Sequence, residues 1–113
     1  MTNEISVVSP MTLSKRFSVK DMHLAENTLT EIILWTAENN HRLPSDEQVR
    51  KFREEYKDQP CGEWVLCITD VRAGKAKVYF VEHYWSHKGE MEANSIWIKL
   101  TDYFDGQSEF MFV

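Results

Sequence analysis

The sequence predicts an α+β fold: two N-terminal helices packed on one face of a four-stranded antiparallel meander sheet. Three observations carry it. Apolar residues recur with a helical period from Met22 to Thr36 and again from Val49 to Tyr56. From Glu63 onward the period becomes two, and Arg72-Ala73-Gly74 and Asp105-Gly106 punctuate the later strands as turns. A chain of 113 residues matches one domain with one core, so residues 1–17 read as an N-terminal arm or edge strand and 18–113 as a single α+β domain.

The arm carries a short alternation, Ile5 and Val7, stopped by Pro10. From Ser18, a candidate N-cap, the stripe Met22, Ala25, Leu29, Ile32, Ile33 and Thr36 predicts a helix that ends near "ENNHRLP". Leu24 and Trp35 sit opposite that stripe and need a second element or a partner to cover them. The second helix starts at "PSDEQV", where Ser45 and Gln48 form a capping box and two acids occupy the first turn. Its apolar stripe is Val49, Phe52 and Tyr56.

"EWVLCITDV" and "KVYFVEHYW" alternate as strands, and a three-residue loop ending in Gly74 pairs Val71 with Lys75. That register places Trp64, Leu66, Ile68, Val78, Phe80, Glu82 and Tyr84 on one face. Val65, Cys67, Thr69, Lys77, Tyr79, Val81, His83 and Trp85 fall on the other. The aliphatic face is the expected seat of both helices. "NSIWIKLTDYF" extends the pattern with Ile96, Ile98 and Leu100 on one side and Trp97, Lys99, Thr101 and Tyr103 on the other, and "SEFMFV" is a fourth strand.

Composition narrows the function classes. The net charge is -5, and no sequence-local basic cluster exceeds Lys15-Arg16 or Arg50-Lys51 with Arg53 nearby, so direct nucleic-acid or anionic-membrane binding is disfavoured. The acids and bases of "DEQVRKFREEYKD" alternate as on a solvated helix face. No apolar run reaches the length of a membrane span and no leader pattern is present, so a cytoplasmic protein is expected. Cys61 and Cys67 lack metal or redox spacing, and Cys67, inside a strand, is expected to be a buried reduced thiol.

No reaction signature is present: no nucleophile elbow, no phosphate-cradling glycine loop. His83 and His87 have helical ligand spacing, but on a strand four residues span roughly 13 Å, so no metal is expected, and no cofactor. The strongest feature is the aromatic row on the second face. It favours a small acidic protein-binding module over an enzyme, in the manner of an inhibitor, immunity protein or accessory protein such as those of mobile elements. Trp85 and Trp97 would be anchors, with Tyr79, Tyr103 and His83 around them. Glu90, Glu92 and Asp102 would form a rim that steers a basic partner, or the face would join a homodimer. The alternative is a ligand-binding or enzymatic pocket between helices and sheet, with Glu82 as its polar group.

Overall fold

The computed structural model describes residues 14–56, 64–81 and 95–113. Its sheet is organised around an apolar stretch near the C-terminal end. Phe110, Met111 and Phe112 are consecutive, so a strand built from them carries apolar side chains on both faces and must be covered on both. The structure does this by placing β5 (Glu109–Phe112) inside the sheet, between β1 (Lys15–Ser18) and β2 (Val65–Arg72). Phe110, Met111 and Phe112 are fully buried.

Beyond β2 lie β3 (Lys75–Val81) and β4 (Ser95–Lys99), giving the order β1-β5-β2-β3-β4. β1 pairs with β5 antiparallel, with Phe17 opposite Phe110, whereas β5 runs parallel to β2, with Leu66 opposite Phe110. The sheet is therefore mixed and five-stranded, and the four-stranded antiparallel meander is corrected on both counts. The meander would have left the two-sided apolar strand at an edge. β1 also crosses the expected boundary between residues 17 and 18; the Ile5–Val7 alternation lies outside the described residues.

The first helix starts later than its stripe suggests. Val19–Met22 form one turn of 3-10 helix, and Ser18 makes no side-chain cap there. His23 and Asn27 then adopt positive φ, 55° and 58°, which breaks any continuous helix. α1 (Leu29–Glu38) begins instead at a capping box formed by Thr28 and Glu31: the Glu31 N–H donates to Thr28 Oγ1 at 3.2 Å and the Thr28 N–H donates to Glu31 Oε1 at 3.0 Å. Two further first-turn donors, the N–H groups of Leu29 and Thr30, reach the carbonyls of Asp102 (2.9 Å) and Leu100 (3.1 Å). α1 is thus tied at its start to the segment following β4. α2 (Asp46–Tyr56) begins where expected, the Ser45 N–H donating to Gln48 Oε1 at 2.9 Å and the Gln48 N–H to Ser45 Oγ at 3.1 Å.

Side chains alternate across a strand, and here both sets are apolar. Leu66, Ile68, Ala76, Val78, Phe110 and Phe112 join Val19, Met22, Leu29 and Ile32 in one core. Val65, Cys67, Tyr79, Val81 and Met111 join Val49 and Phe52 in a second. The two helices therefore contribute to cores on opposite faces of the sheet, where the sequence reading put both on the aliphatic face. Trp35, opposite the α1 stripe, packs edge-on against Phe17 at 5.0 Å and near His41 and Phe112 at 6.0 and 6.3 Å. These rings cover part of Trp35 from within the chain.

Two outcomes follow from the caps. Thr28→Ala should cost about 1 kcal/mol in chemical denaturation, while Ser18→Ala should leave the midpoint nearly unchanged. The Glu31 carboxyl is held below its ordinary value chiefly by the Thr28 N–H it accepts, against the opposing effect of desolvation. A lowered native pKa makes this group stabilising above its unfolded value, and that stabilisation disappears as the pH falls through the native one. Glu31→Gln should therefore flatten part of the loss of stability in acid below pH 4.5, measured as denaturation midpoint against pH.

Candidate functional site

The site is built on the β2–β3 hairpin. Arg72 pairs with Lys75, so the turn has two central residues, Ala73 and Gly74, with φ of 51° and 77°. This is a primed turn whose twist suits the hairpin, and it corrects the expected three-residue loop and its Val71–Lys75 pair. Yet Leu66 opposes Phe80, Cys67 opposes Tyr79 and Ile68 opposes Val78, as expected. A bulge reconciles the two ends: the register shifts between Ile68 and Asp70, leaving Thr69 as the extra residue.

The bulge changes which face the turn-proximal residues occupy. Past it, Asp70 pairs with Lys77, Val71 with Ala76 and Arg72 with Lys75. Asp70 and Arg72 therefore share the face of Lys77 and Tyr79, although uninterrupted alternation would have sent them to the aliphatic side. On β4, Lys99 opposes Lys75, Trp97 opposes Lys77 and Ser95 opposes Tyr79. Two rows result across three strands: Arg72, Lys75, Lys99, and beside it Asp70, Lys77, Trp97.

Tyr79 is fully buried in the second core beneath α2, so it is not part of an exposed surface. The Lys77 ammonium lies 5.2 Å from its ring centroid. Trp97 remains at the surface, 42% exposed, with the Arg72 guanidinium 5.9 Å from its ring centroid. Arg72 is also paired with Asp70 at 2.9 Å. The expected grouping of Tyr79, Trp97 and Tyr103 is thereby divided.

Tyr103 is divided off for a different reason. β4 ends at Lys99, and the Asp102 N–H donates back to the Lys99 carbonyl at 3.0 Å, so the strand alternation stops before Tyr103. Tyr103, 78% exposed, forms an isolated bridge with Thr28. With Ile96, Ile98, Asp102 and Phe104 it lines a shallow hollow of about 480 Å³ on the side opposite Trp97. Ile96 is 54% exposed. The edge of β4 thus carries apolar side chains on both sides, Trp97 on one and Ile96 with Tyr103 on the other.

Between the start of α2 and the sheet lies an open cleft of about 490 Å³, lined by Ser45, Asp46, Thr69, Asp70, Arg72, Lys77 and Trp97. The Thr69 Oγ1 is buried without a hydrogen-bond partner. Among the described residues no group of three or more His, Cys, Asp or Glu side chains could hold a metal ion. Cys67 is a buried free thiol, and burial pushes its pKa far up, so it is no nucleophile.

Cys61, Glu82, His83, Tyr84, Trp85, His87, Glu90 and Glu92 lie outside the described residues. The residues missed by sequence reasoning are Arg72 and Lys75, which become neighbours of Trp97 and Lys99 only through the bulge and the β3–β4 register. Lys77 and Lys99 were already visible by alternation. Thr69→Val should be neutral or stabilising by up to about 1 kcal/mol, because it removes a buried hydroxyl that has no partner; a denaturation midpoint below wild type would contradict this.

Comparison with models of protein families, with curated proteins and with solved structures finds no match.

Proposed function

We propose that the protein works by binding another protein, and that the open edge of β4 is where the partner docks. The observation that supports this is the edge itself: among the described residues no strand lies beyond β4, and its exposed side chains include Ile96 and Trp97, with Tyr103 close by. Soluble proteins usually blunt such an edge, because unpaired backbone groups beside apolar side chains invite another chain. Strand addition supplies main-chain hydrogen bonds, and an aromatic anchor adds most of the affinity.

Trp97 is the anchor in this reading, with Ile96 and Tyr103 on the reverse side and Asp102 at the rim. Trp85, His83, Glu90 and Glu92 remain candidates for the same surface by sequence. Tyr79 instead supports it from within as core. An inhibitor, immunity protein or accessory protein would need no more chemistry than this.

Trp97→Ala should leave the far-UV circular dichroism and the thermal midpoint close to wild type, because the side chain is surface-borne. It should abolish recovery of the partner when wild type and variant are used side by side for affinity capture from the native cell. A variant that keeps its full set of captured proteins would rule out Trp97 as the anchor. Light scattering of the purified protein at micromolar concentration would separate a second copy from a different partner.

A further inference from the structure

We infer that the partner segment is acidic: an extended stretch with carboxylates at alternate positions, added as a strand alongside β4. This rests on the docking reading above and names the partner's chemistry. It reverses the expectation of a basic partner. The carrying observation is the row Arg72, Lys75, Lys99, in which three cations stand directly across from one another on β2, β3 and β4.

Neighbouring strands are about 4.8 Å apart, so the row extends roughly 10 Å across the sheet. Like charges directly opposite one another destabilise a sheet, yet here two successive cross-strand pairs are both cationic. Lys77 adds a fourth positive group one row away. Among the described residues the acids on this face are Asp70, already paired with Arg72, and Asp46 across the cleft, while Asp102 lines the hollow on the opposite side. Among the described residues no carboxylate pairs with Lys75 or Lys99. On a chain of net charge -5 this is a local inversion of sign.

The edge geometry tells how an acidic segment would meet these groups. The Leu100 N–H donates to the Gly74 carbonyl at 3.0 Å. By antiparallel alternation the peptide groups of Ile96 and Ile98 then face β3, and Trp97 turns its N–H and C=O to the open side, as Lys99 turns its N–H. A strand paired there projects alternate side chains onto the cation face, one beside Trp97 and the next beside Lys99. A carboxylate at the second position continues the row Arg72, Lys75, Lys99 with the opposite charge. A second copy meeting β4 through the same strand offers no such complement, because Ser95–Lys99 contains no acid.

The test uses the full chain with fluorescein-labelled synthetic peptides: alternating Glu and Val, alternating Lys and Val, and the Glu–Val peptide N-methylated at alternate residues. An oligothymidylate serves as the nucleic-acid probe. The Glu–Val peptide should bind to wild type, bind less at higher salt, and weaken about tenfold in the Lys75→Glu, Lys99→Glu double variant, the scale of several exposed charge pairs reversed together. The N-methylated peptide should fail to bind. The double variant should keep its thermal midpoint, since it makes the pair with Arg72 attractive while positions 75 and 99 stay alike in charge; a Lys75→Gln, Lys99→Gln variant, which removes both repulsions, provides the same comparison if the reversal does not fold.

Binding of the Lys–Val peptide as tight as that of the Glu–Val peptide, or binding indifferent to both double variants, would overturn the acidic assignment while the docking reading survives. Equal binding of the N-methylated peptide would overturn strand addition. Binding of the oligothymidylate in preference to any peptide would overturn a protein partner at this surface altogether. No peptide binding to wild type overturns the acidic segment, and the docking reading then stands or falls on capture by Trp97→Ala alone.

Discussion

The fold depends on one pairing, the parallel ladder between β5 and β2. Through it a strand that is apolar on both faces reaches the inside of the sheet, and both of its faces gain a layer. Phe110 and Phe112 enter the core that contains Leu29 and Ile32 of α1, while Met111 enters the core that contains Val49 and Phe52 of α2. Fully burying one such side chain contributes roughly 1.5–3 kcal/mol, so three of them in one strand are a large fraction of a small domain's net stability. With β5 inside the sheet, β1 and β4 are the two edges among the described residues.

The second determinant is the bulge at Thr69. A two-residue turn at Ala73-Gly74 sets one register, and the buried pairs Leu66–Phe80 and Ile68–Val78 require another. One extra residue absorbs the difference, and it lets the turn and the core each keep their preferred geometry. Its by-product is the surface: Asp70 and Arg72 move to the face that carries Lys77 and Trp97. The cationic row is thus a consequence of packing demands made elsewhere in the same hairpin.

How much was legible follows from the range of each signal. The Ser45–Gln48 cap, the two faces of the hairpin near Leu66 and Phe80, and the alternation of Ile96, Trp97 and Ile98 are local patterns, and the structure bears them out. The Thr28–Glu31 cap was equally local but masked by a longer apolar stripe that ran through His23 and Asn27, residues whose positive φ no stripe reveals. The place of β5 could have been suspected from Phe110-Met111-Phe112 lacking alternation; its parallel partner could not, because that choice lies between distant segments. Tyr79 read as surface because both helices were assigned to one face. Trp97 was legible as a candidate, whereas its cationic setting needed Arg72, Lys75 and Lys99, which are 24 and 27 positions from one end to the other, to be aligned by a bulge and a register.

A sheet that shares an interior strand between two cores has a consequence for how it comes apart. Phe110 and Phe112 belong to one layer and Met111 to the other, so neither layer can shed β5 without opening its counterpart. α1 is bound in the same way to the segment after β4 through the carbonyls of Leu100 and Asp102. Such coupling leaves little room for a half-melted intermediate, and the domain should open as one cooperative unit. The edge at β4, where chains could meet, is therefore held by the whole molecule.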